Sequence, residues 1–122
     1  MSEGLSNKGF AFDLKVGQAS ENALAQLLGE GSTIEVKSDK MARRTGNVYV
    51  EVESRGKPSG LATTEADHWA IEVDDGVFVI MPTDRLRVLT KLVELKNGTR
   101  SGGDFNTSKG VLVKVSDLTR GL

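Results

Sequence analysis

Two short stretches of alternating apolar and polar residues carry side chains that could catalyse hydrolysis. Glu35 and Lys37 lie in the first stretch, STIEVKSD, and Glu51 and Glu53 lie in the second, NVYVEVES. Carboxylate oxygens are the ligands that Mg²⁺ and Mn²⁺ prefer. A metal ion held in this way activates water and polarises a phosphoryl oxygen, while a nearby lysine orients the nucleophile or stabilises developing charge. These residue types therefore predict hydrolysis of phosphodiester bonds.

The elements that must position these groups are two strands, which the alternation predicts at residues 32–39 and 47–54. The sequence TGN ends the connection between them, and an antiparallel hairpin is the simple interpretation. Side chains alternate between the two faces of a strand, so a turn near Arg43 places Glu35 across from Glu51. Like charges that oppose each other directly destabilise a sheet, and this pair therefore needs a cation.

A helix predicted at residues 18–28 supplies a third carboxylate. Its leucines recur at helical spacing before a terminating glycine. Glu21 projects between Leu24 and Leu28, on the face that is expected to pack against the sheet. A carboxylate is costly to bury unless it meets a partner or a metal. The helix is therefore expected to direct Glu21 towards the two strand glutamates.

The run Ile34-Glu35-Val36-Lys37 resembles the (D/E)xK element of the PD-(D/E)XK nuclease superfamily. The pattern EVKSD, followed by TGNVYVEVESRGKPSGLATTEADHW, is similar to small phage-type members related to Holliday-junction resolvases and restriction enzymes. The resemblance covers residues 21–69, and the tail GGDFNTSKGVLVKVSDL is also similar to such phage proteins. It implies a restriction-endonuclease-like fold, in which helices flank a mixed central sheet, and cleavage of DNA with Mg²⁺ or Mn²⁺. It also implies frequent homodimers and, for a phage protein, action in the host cytoplasm.

The family places an acidic residue on one strand and the (D/E)xK triplet on the next, and this chain departs from that order. In one assignment Glu35-x-Lys37 is the triplet, and Asp13 or Glu21 completes the site. In the other, which the predicted cross-strand pair favours, Glu35 is the single acidic residue and Glu51 begins a modified triplet, with Lys37 on the neighbouring strand. The predicted catalytic residues are Glu21, Glu35, Lys37 and Glu51, and the predicted metal ligands are Glu21, Glu35, Glu51 and Glu53.

Basic and hydroxyl side chains flank the predicted site and are expected to contact phosphates. The predicted nucleic-acid-binding residues are Arg43 and Arg44, beside Lys40, and Arg55, Lys57, Ser59 and Thr63. Asp39 is interpreted as a turn residue rather than a ligand. His68 and Trp69 are interpreted as structural residues.

The remaining pattern predicts one mixed α/β (α+β) domain over residues 1–122. It predicts a short helix capped by Thr64 and Asp67, a hairpin of strands at 69–73 and 77–81, a helix capped by Thr83 with Leu86, Leu89, Leu92 and Val93 on its apolar face, and a last strand at 111–115. Residues 1–10 are predicted to be a loosely ordered lead-in, and residues 97–110 a mobile loop.

Composition excludes several kinds of site. The 122 residues include no cysteine and one histidine, which excludes a disulfide framework, a zinc–thiolate site and a two-histidine mechanism. No apolar run approaches the roughly 18 residues that span a bilayer, so the cytoplasm is the expected compartment. A net charge of −1 does not favour nucleic-acid binding, although a bound metal would neutralise the carboxylates.

Two other functions stay open. The same fold could serve as a non-catalytic nucleic-acid-binding or assembly module whose strand charges are solvated. In that case Glu35→Ala and Glu51→Ala would leave binding intact. A small protein-interaction domain would instead show no salt-sensitive DNA binding, because phosphate contacts weaken as the salt concentration rises.

Overall fold

The computed structural model describes the backbone of residues 7–120 and the side chains of residues 18–120. The chain divides into two compact units, Met1–Ser32 and Thr33–Leu122. The described part is mixed α+β, as predicted. Its elements are α1 (Asn7–Leu28), β1 (Ile34–Ser38), α2 (Ala42–Thr45), β2 (Asn47–Ser54), β3 (Lys57–Pro58), β4 (His68–Asp74), β5 (Val77–Pro82), α3 (Thr83–Asn97), β6 (Arg100–Gly102), β7 (Ser108–Lys114) and α4 (Val115–Arg120), with 3₁₀ turns at Gly60–Ala62 and Asp104–Asn106.

The first unit contains one helix, α1, which begins earlier than predicted. The lead-in prediction is wrong for residues 7–10, which are helical, and residues 1–6 lie outside the described residues. The run from residue 7 contains no proline, and most of its residues are compatible with a helix. The regular leucine spacing that marks a helix in sequence starts only near its end. Leu24 and Leu28 are 55% and 70% exposed.

The strands of the second unit form two sheets. One has the order β1-β4-β5, with β1 parallel to β4, and the other has the antiparallel order β3-β2-β7-β6. The predicted hairpin between β1 and β2 is therefore wrong. Glu35 pairs with Trp69 of β4, and Glu51 pairs with Gly110 of β7. The connection between β1 and β2 contains α2 and a left-handed Gly46. After this turn of helix, β2 joins a different sheet from β1.

The hairpin of β4 and β5 and the helix α3 are confirmed, but the capping predictions around them are wrong. Thr83 is the first residue of α3, after Pro82, and its hydroxyl donates to the carbonyl of Ala66. Asp67 does not complete a capping box at Thr64. Its carboxylate accepts hydrogen bonds from the backbone and hydroxyl of Thr33. The short helix predicted after Thr64 does not form, and no helix lies between the 3₁₀ turn at Gly60–Ala62 and β4.

Residues 97–110 are not the single loop that was predicted. They contain β6, the 3₁₀ turn at Asp104–Asn106 and the beginning of β7, while α4 was not predicted. The sequence signal is weak because the ring of Tyr49, rather than a local apolar residue, covers this part of the sheet. A Cβ at Gly102 would lie 2.7 Å from that ring, and one at Gly110 would overlap it. The Tyr49 hydroxyl also shares a hydrogen bond of 2.8 Å with Ser108.

Both sheets, α3 and α4 contribute to one hydrophobic core in the second unit. Its members are Ala42, Val48, Val50, Leu61, Trp69, Ile71, Met81, Leu86, Leu89, Val93, Val111, Val113 and Leu118. The predicted apolar face of α3 is buried apart from Leu92, which is 47% exposed. Trp69 is 3% exposed, as expected of a structural residue. Within residues 7–120, no helix has the length and apolar content needed to cross a membrane.

Candidate functional site

A cleft lies where the edge strands of the two sheets approach each other. β1 is an edge of its sheet. β3 pairs only with Glu53 and Ser54, so the earlier part of β2 has no described strand on its side away from β7. The cleft has a volume of about 350 Å³ and is lined by Lys37, Ser38, Asp39 and Lys40, by Val48, Tyr49, Val50 and Glu51, and by Gly60, Trp69 and Ile71.

Asp39 joins the end of β1 to the open edge of β2. Its Oδ1 accepts a hydrogen bond of 2.9 Å from the backbone N–H of Met41, and its Oδ2 accepts one of 2.8 Å from that of Tyr49. The first bond fits the predicted turn role, and the second places this carboxylate in the cleft. An ionised carboxylate offers about four lone-pair sites, so Asp39 keeps acceptor capacity for a cation.

Glu51 is held on β2 by the loop that follows β3. Its Oε2 accepts a hydrogen bond of 2.8 Å from the Ser59 hydroxyl, and the Ser59 N–H donates to the Val52 carbonyl. Gly60 has a φ of +56°, and a Cβ there would overlap the Glu51 carbonyl oxygen. Only glycine lets the loop approach β2 this closely without strain. The sequence SG at residues 59–60 therefore fixes the position of the Glu51 carboxylate.

Arg87 of α3 supports the same loop, and sequence reasoning missed it. Its Nε donates to the Leu61 carbonyl at 3.1 Å, and one terminal nitrogen donates to the Thr64 carbonyl at 2.8 Å. Asp84 lies 3.5 Å from the other terminal nitrogen. An arginine in an amphipathic helix normally predicts a solvated face, so nothing in the sequence pattern indicates these backbone contacts.

Lys37 lines the cleft, and its ammonium forms an ion pair with the Glu35 carboxylate. The Lys37 Nζ lies 3.5 Å from a Glu35 carboxylate oxygen and 5.6 Å from the centre of the Trp69 ring. The ion pair and the cation–π contact together fix the position of the ammonium. The predicted pair of Glu35 with Glu51 does not form. The carboxylates that line the cleft are Asp39 and Glu51.

Glu53 is not among the described lining residues of the cleft, and Glu21 belongs to the first unit. A β-bulge interrupts the pairing of β2 between Glu51 and Glu53, so the predicted alternation of faces ends there. Glu53 instead lies 3.8 Å from the ammonium of Lys109. Glu21 lies on α1 in the first unit with an exposed side chain, and the side chain of Asp13 is outside the described residues. Within residues 18–120, no group of three or more histidine, aspartate or glutamate side chains is placed to share a metal ion.

The predicted phosphate contacts are spread over several environments. Lys40 lines both the cleft and a neighbouring depression that contains Glu72 and Asp75. Arg43 lines the depression but not the cleft, and it lies 3.6 Å from Asp74. This acidic surrounding weakens the case for Arg43 as a phosphate contact. Arg44 donates to the sulfur of Met41, and Ser59 donates to Glu51. Thr63 is exposed, as are Arg55 in the β2–β3 turn and Lys57 at the start of β3.

Glu72 is the acidic group whose pKa the surroundings clearly change. The Ser38 hydroxyl donates to one of its oxygens at 2.7 Å, and the Gly76 backbone N–H donates to the other at 2.9 Å. These bonds stabilise the carboxylate and lower the pKa of Glu72 below its ordinary value of 4.5. Ser38 also lines the cleft, so the bond to Glu72 helps to fix the end of β1.

The fold and the site place the chain among mixed α+β proteins with a cleft that carries two carboxylates and an ammonium. No family model, no curated protein and no solved structure matches this chain.

Proposed function

We propose that this protein is a metal-dependent nuclease of the PD-(D/E)XK type that hydrolyses phosphodiester bonds in DNA. The observation that carries the proposal is that Asp39, Glu51 and Lys37 line a single cleft. Two carboxylates and an ammonium can together bind a divalent cation and a phosphate group. The resemblance of the EVKSD…YVEVESRGKPSG pattern to phage-type nucleases supports the same function.

The residues of the cleft fit Mg²⁺ or Mn²⁺. Asp39 accepts two backbone hydrogen bonds and Glu51 accepts one from Ser59, so both carboxylates are oriented and still have free lone pairs. Mg²⁺ usually keeps several waters and is held by one or two carboxylates together with substrate phosphates. Asp39 and Glu51 would hold the metal, which supplies an activated water and a polarised phosphoryl oxygen when bound.

The protein groups around the metal position have separate roles. Lys37, positioned by Glu35 and the Trp69 ring, orients the attacking water and stabilises charge that develops on the phosphate. Lys40, at the same cleft, contacts a phosphate of the bound strand. Glu35 is a positioning residue in this proposal, because it acts through Lys37.

One observation favours a second candidate function, a non-catalytic nucleic-acid-binding module. Both oxygens of Asp39 accept backbone hydrogen bonds that join β1, α2 and β2. A carboxylate used in this way could serve the fold alone. The two functions differ in one respect: the nuclease requires Asp39 and Glu51 to bind metal, whereas the binding module does not.

Thermal melting with and without Mn²⁺ tests the proposal, using the wild type, Glu51→Gln, Asp39→Asn and the control Glu94→Gln. Glu94 lies on α3 and pairs with Lys91 at 4.0 Å. At ten times its dissociation constant, Mn²⁺ should stabilise the wild type and the control by about 1.4 kcal/mol, or about 5 °C. Both cleft variants should lose most of this shift and also lose cleavage of plasmid DNA.

Each result bears on a different part of the proposal. If Mn²⁺ shifts all four proteins equally, the metal is not held by the cleft carboxylates and the proposed site is wrong. If Mn²⁺ shifts none of them at several millimolar and no DNA is cut, while salt-sensitive DNA binding persists, the non-catalytic module is correct. Glu51→Gln is the more informative variant because Asp39→Asn also disturbs the bonds to Met41 and Tyr49.

A further inference from the structure

Two connections lie side by side at one end of the four-stranded sheet. One consists of the β2–β3 turn and the first residue of β3, residues 55–57, and the other is the β6–β7 connection at residues 103–107. The Arg55 backbone N–H donates a hydrogen bond of 2.8 Å to the Thr107 carbonyl, and Ser54 pairs with Ser108 just below it. These two segments together are called the hairpin tip.

The hairpin tip holds an unusual concentration of backbone strain. In the described part of the chain, the non-glycine residues with positive φ are Arg55 at 53°, Phe105 at 57° and Asn106 at 55°. Asparagine tolerates this region, but arginine and phenylalanine do not, at a cost of about 1–2 kcal/mol for each such residue. Strained residues of this kind cluster at binding and catalytic sites. All three lie within the hairpin tip.

Phe105 also contributes nothing to the core. It is 97% exposed, whereas the burial of a phenylalanine side chain would be worth about 1.5–3 kcal/mol. A large aromatic ring fully in water, on a backbone that opposes its residue type, is better explained by a ligand than by folding. The ring presents two open faces that other planar groups could cover.

The charges around Phe105 favour an anionic partner. Arg55 and Lys57 are exposed on the neighbouring turn, and Asp104 is the acidic residue within the described hairpin tip. Lys109, which follows at β7, is neutralised by Glu53 at 3.8 Å. The hairpin tip therefore combines an exposed aromatic ring with a net positive charge.

We propose that the hairpin tip is a stacking site for an unpaired nucleic-acid base, which rests on Phe105 while Arg55 and Lys57 contact the adjacent phosphates. Base–aromatic stacking needs no particular base, because every base has a π face. A fully paired duplex keeps its bases stacked and offers the ring nothing equivalent. The ligand is thus a single-stranded segment of DNA or a single-stranded end.

The position of the hairpin tip relates it to the proposed nuclease site. Ser54 is three residues from Glu51 along β2, roughly 10 Å at 3.3 Å per residue. A strand held at the hairpin tip would thus lie beside the cleft. The relevance of the stacking site to catalysis rests on the proposed nuclease function, but the binding itself is independent of metal.

Equilibrium binding in EDTA, which prevents metal-dependent cleavage, tests the stacking site. The probes are a single-stranded 2-aminopurine oligonucleotide and the blunt duplex formed with its complement. Phe105→Ala should weaken binding of the single strand by about 5- to 160-fold, leave binding of the duplex unchanged and leave the melting temperature unchanged. Phe105→Trp should restore binding and the 2-aminopurine quenching. Phe78→Ala, which removes a 44% exposed phenylalanine from β5, is the matched control and should bind as the wild type does.

Salt dependence separates stacking from phosphate contacts. Phe105→Ala should keep the wild-type slope of log affinity against log salt, whereas Lys57→Ala should reduce its magnitude by about 0.7 for a single strand. The proposal is overturned if the wild type does not bind the single strand, if Phe105→Ala binds both probes as the wild type does, or if it weakens both equally. A protein partner would then be the better explanation for the exposed ring.

The failure of this site and the failure of the nuclease function give different results. Binding that depends on Phe105, in a protein that cuts no DNA with Mn²⁺, supports the stacking site and refutes the nuclease. Cleavage that depends on Glu51 but is identical in Phe105→Ala, with equal binding of the single strand, supports the nuclease and refutes the stacking site.

Discussion

The substitution Gly60→Ala tests whether the loop after β3 holds Glu51 in place. At a φ of +56°, an alanine is strained by about 1–2 kcal/mol. The added Cβ would also overlap the Glu51 carbonyl oxygen and lie 3.1 Å from the Glu51 Cβ. Crowding of a packed site by one extra methyl group costs about 1–3 kcal/mol more. The expected loss of stability is thus about 2–5 kcal/mol.

Gly56→Ala is the matched control for this variant. Gly56 has a φ of +79°, and its added Cβ would meet no described heavy atom within 4 Å, so only the strain applies. Gly60→Ala should therefore be less stable than Gly56→Ala by about 1–3 kcal/mol, which for 122 residues is a difference of about 4–12 °C in melting temperature. Calorimetry and urea denaturation measure the difference.

The same pair of variants also reports on the proposed metal site. The Mn²⁺-induced rise in melting temperature should shrink in Gly60→Ala, because the loop that orients the Glu51 carboxylate is displaced, and it should persist in Gly56→Ala. Equal melting temperatures for the two variants would refute the close approach of Gly60 to Glu51. Unequal stabilities with equal Mn²⁺ shifts would show that the loop supports the fold but not metal binding.

Two further predictions concern the supports of the cleft. Arg87→Met keeps most of the side-chain stem but removes the hydrogen bonds to two loop carbonyls, and it should lower the free energy of unfolding, measured in urea, by about 1–2 kcal/mol. The control Arg85→Met, at an exposed position of the same helix, should change this free energy little. Equal effects of the two substitutions would contradict the role of Arg87. Glu72 has a lowered pKa, so its carboxylate stabilises the folded state above its ordinary pKa of 4.5, and this contribution is lost as the pH falls through the lower folded pKa. The stability difference between the wild type and Glu72→Gln should therefore be constant near neutral pH and shrink in acid; a difference that grows in acid would contradict the bonds from Ser38 and Gly76.

Part of the fold could be predicted because it depends on neighbouring residues alone. The valines of β2, the Asp-Asp-Gly turn between β4 and β5 and the leucines of α3 each carry their signal within a few residues. The prediction of β2 matched its observed limits, Asn47–Ser54. Periodicity identifies the buried face of such an element, but not the element that covers it.

The candidate site could be predicted only in outline. The sequence indicated carboxylates and a lysine on two strands, and Lys37 and Glu51 do line one cleft. It did not indicate that Asp39 would replace Glu35 there, because that depends on a hydrogen bond from the backbone of Tyr49, ten residues away. The contribution of Arg87 was also hidden, since its acceptors are backbone carbonyls more than twenty residues earlier in the chain.

By itself the sequence determined the mixed α+β class, the buried face of β2 and the types of residue that could bind metal and phosphate. The tertiary structure alone decided the partners of those strands. β1 pairs with β4, in a register that joins residues 34 positions apart, and the valines of β2 pack with Val111 and Val113 in the core. Local preferences act over a few residues, whereas strand pairing is selected by the apolar surface that the whole unit can bury. Within the described residues, this selection leaves one edge of β1 and part of one edge of β2 without a partner strand. Residues at these open edges line the cleft, so strand pairing determines the composition of the cleft.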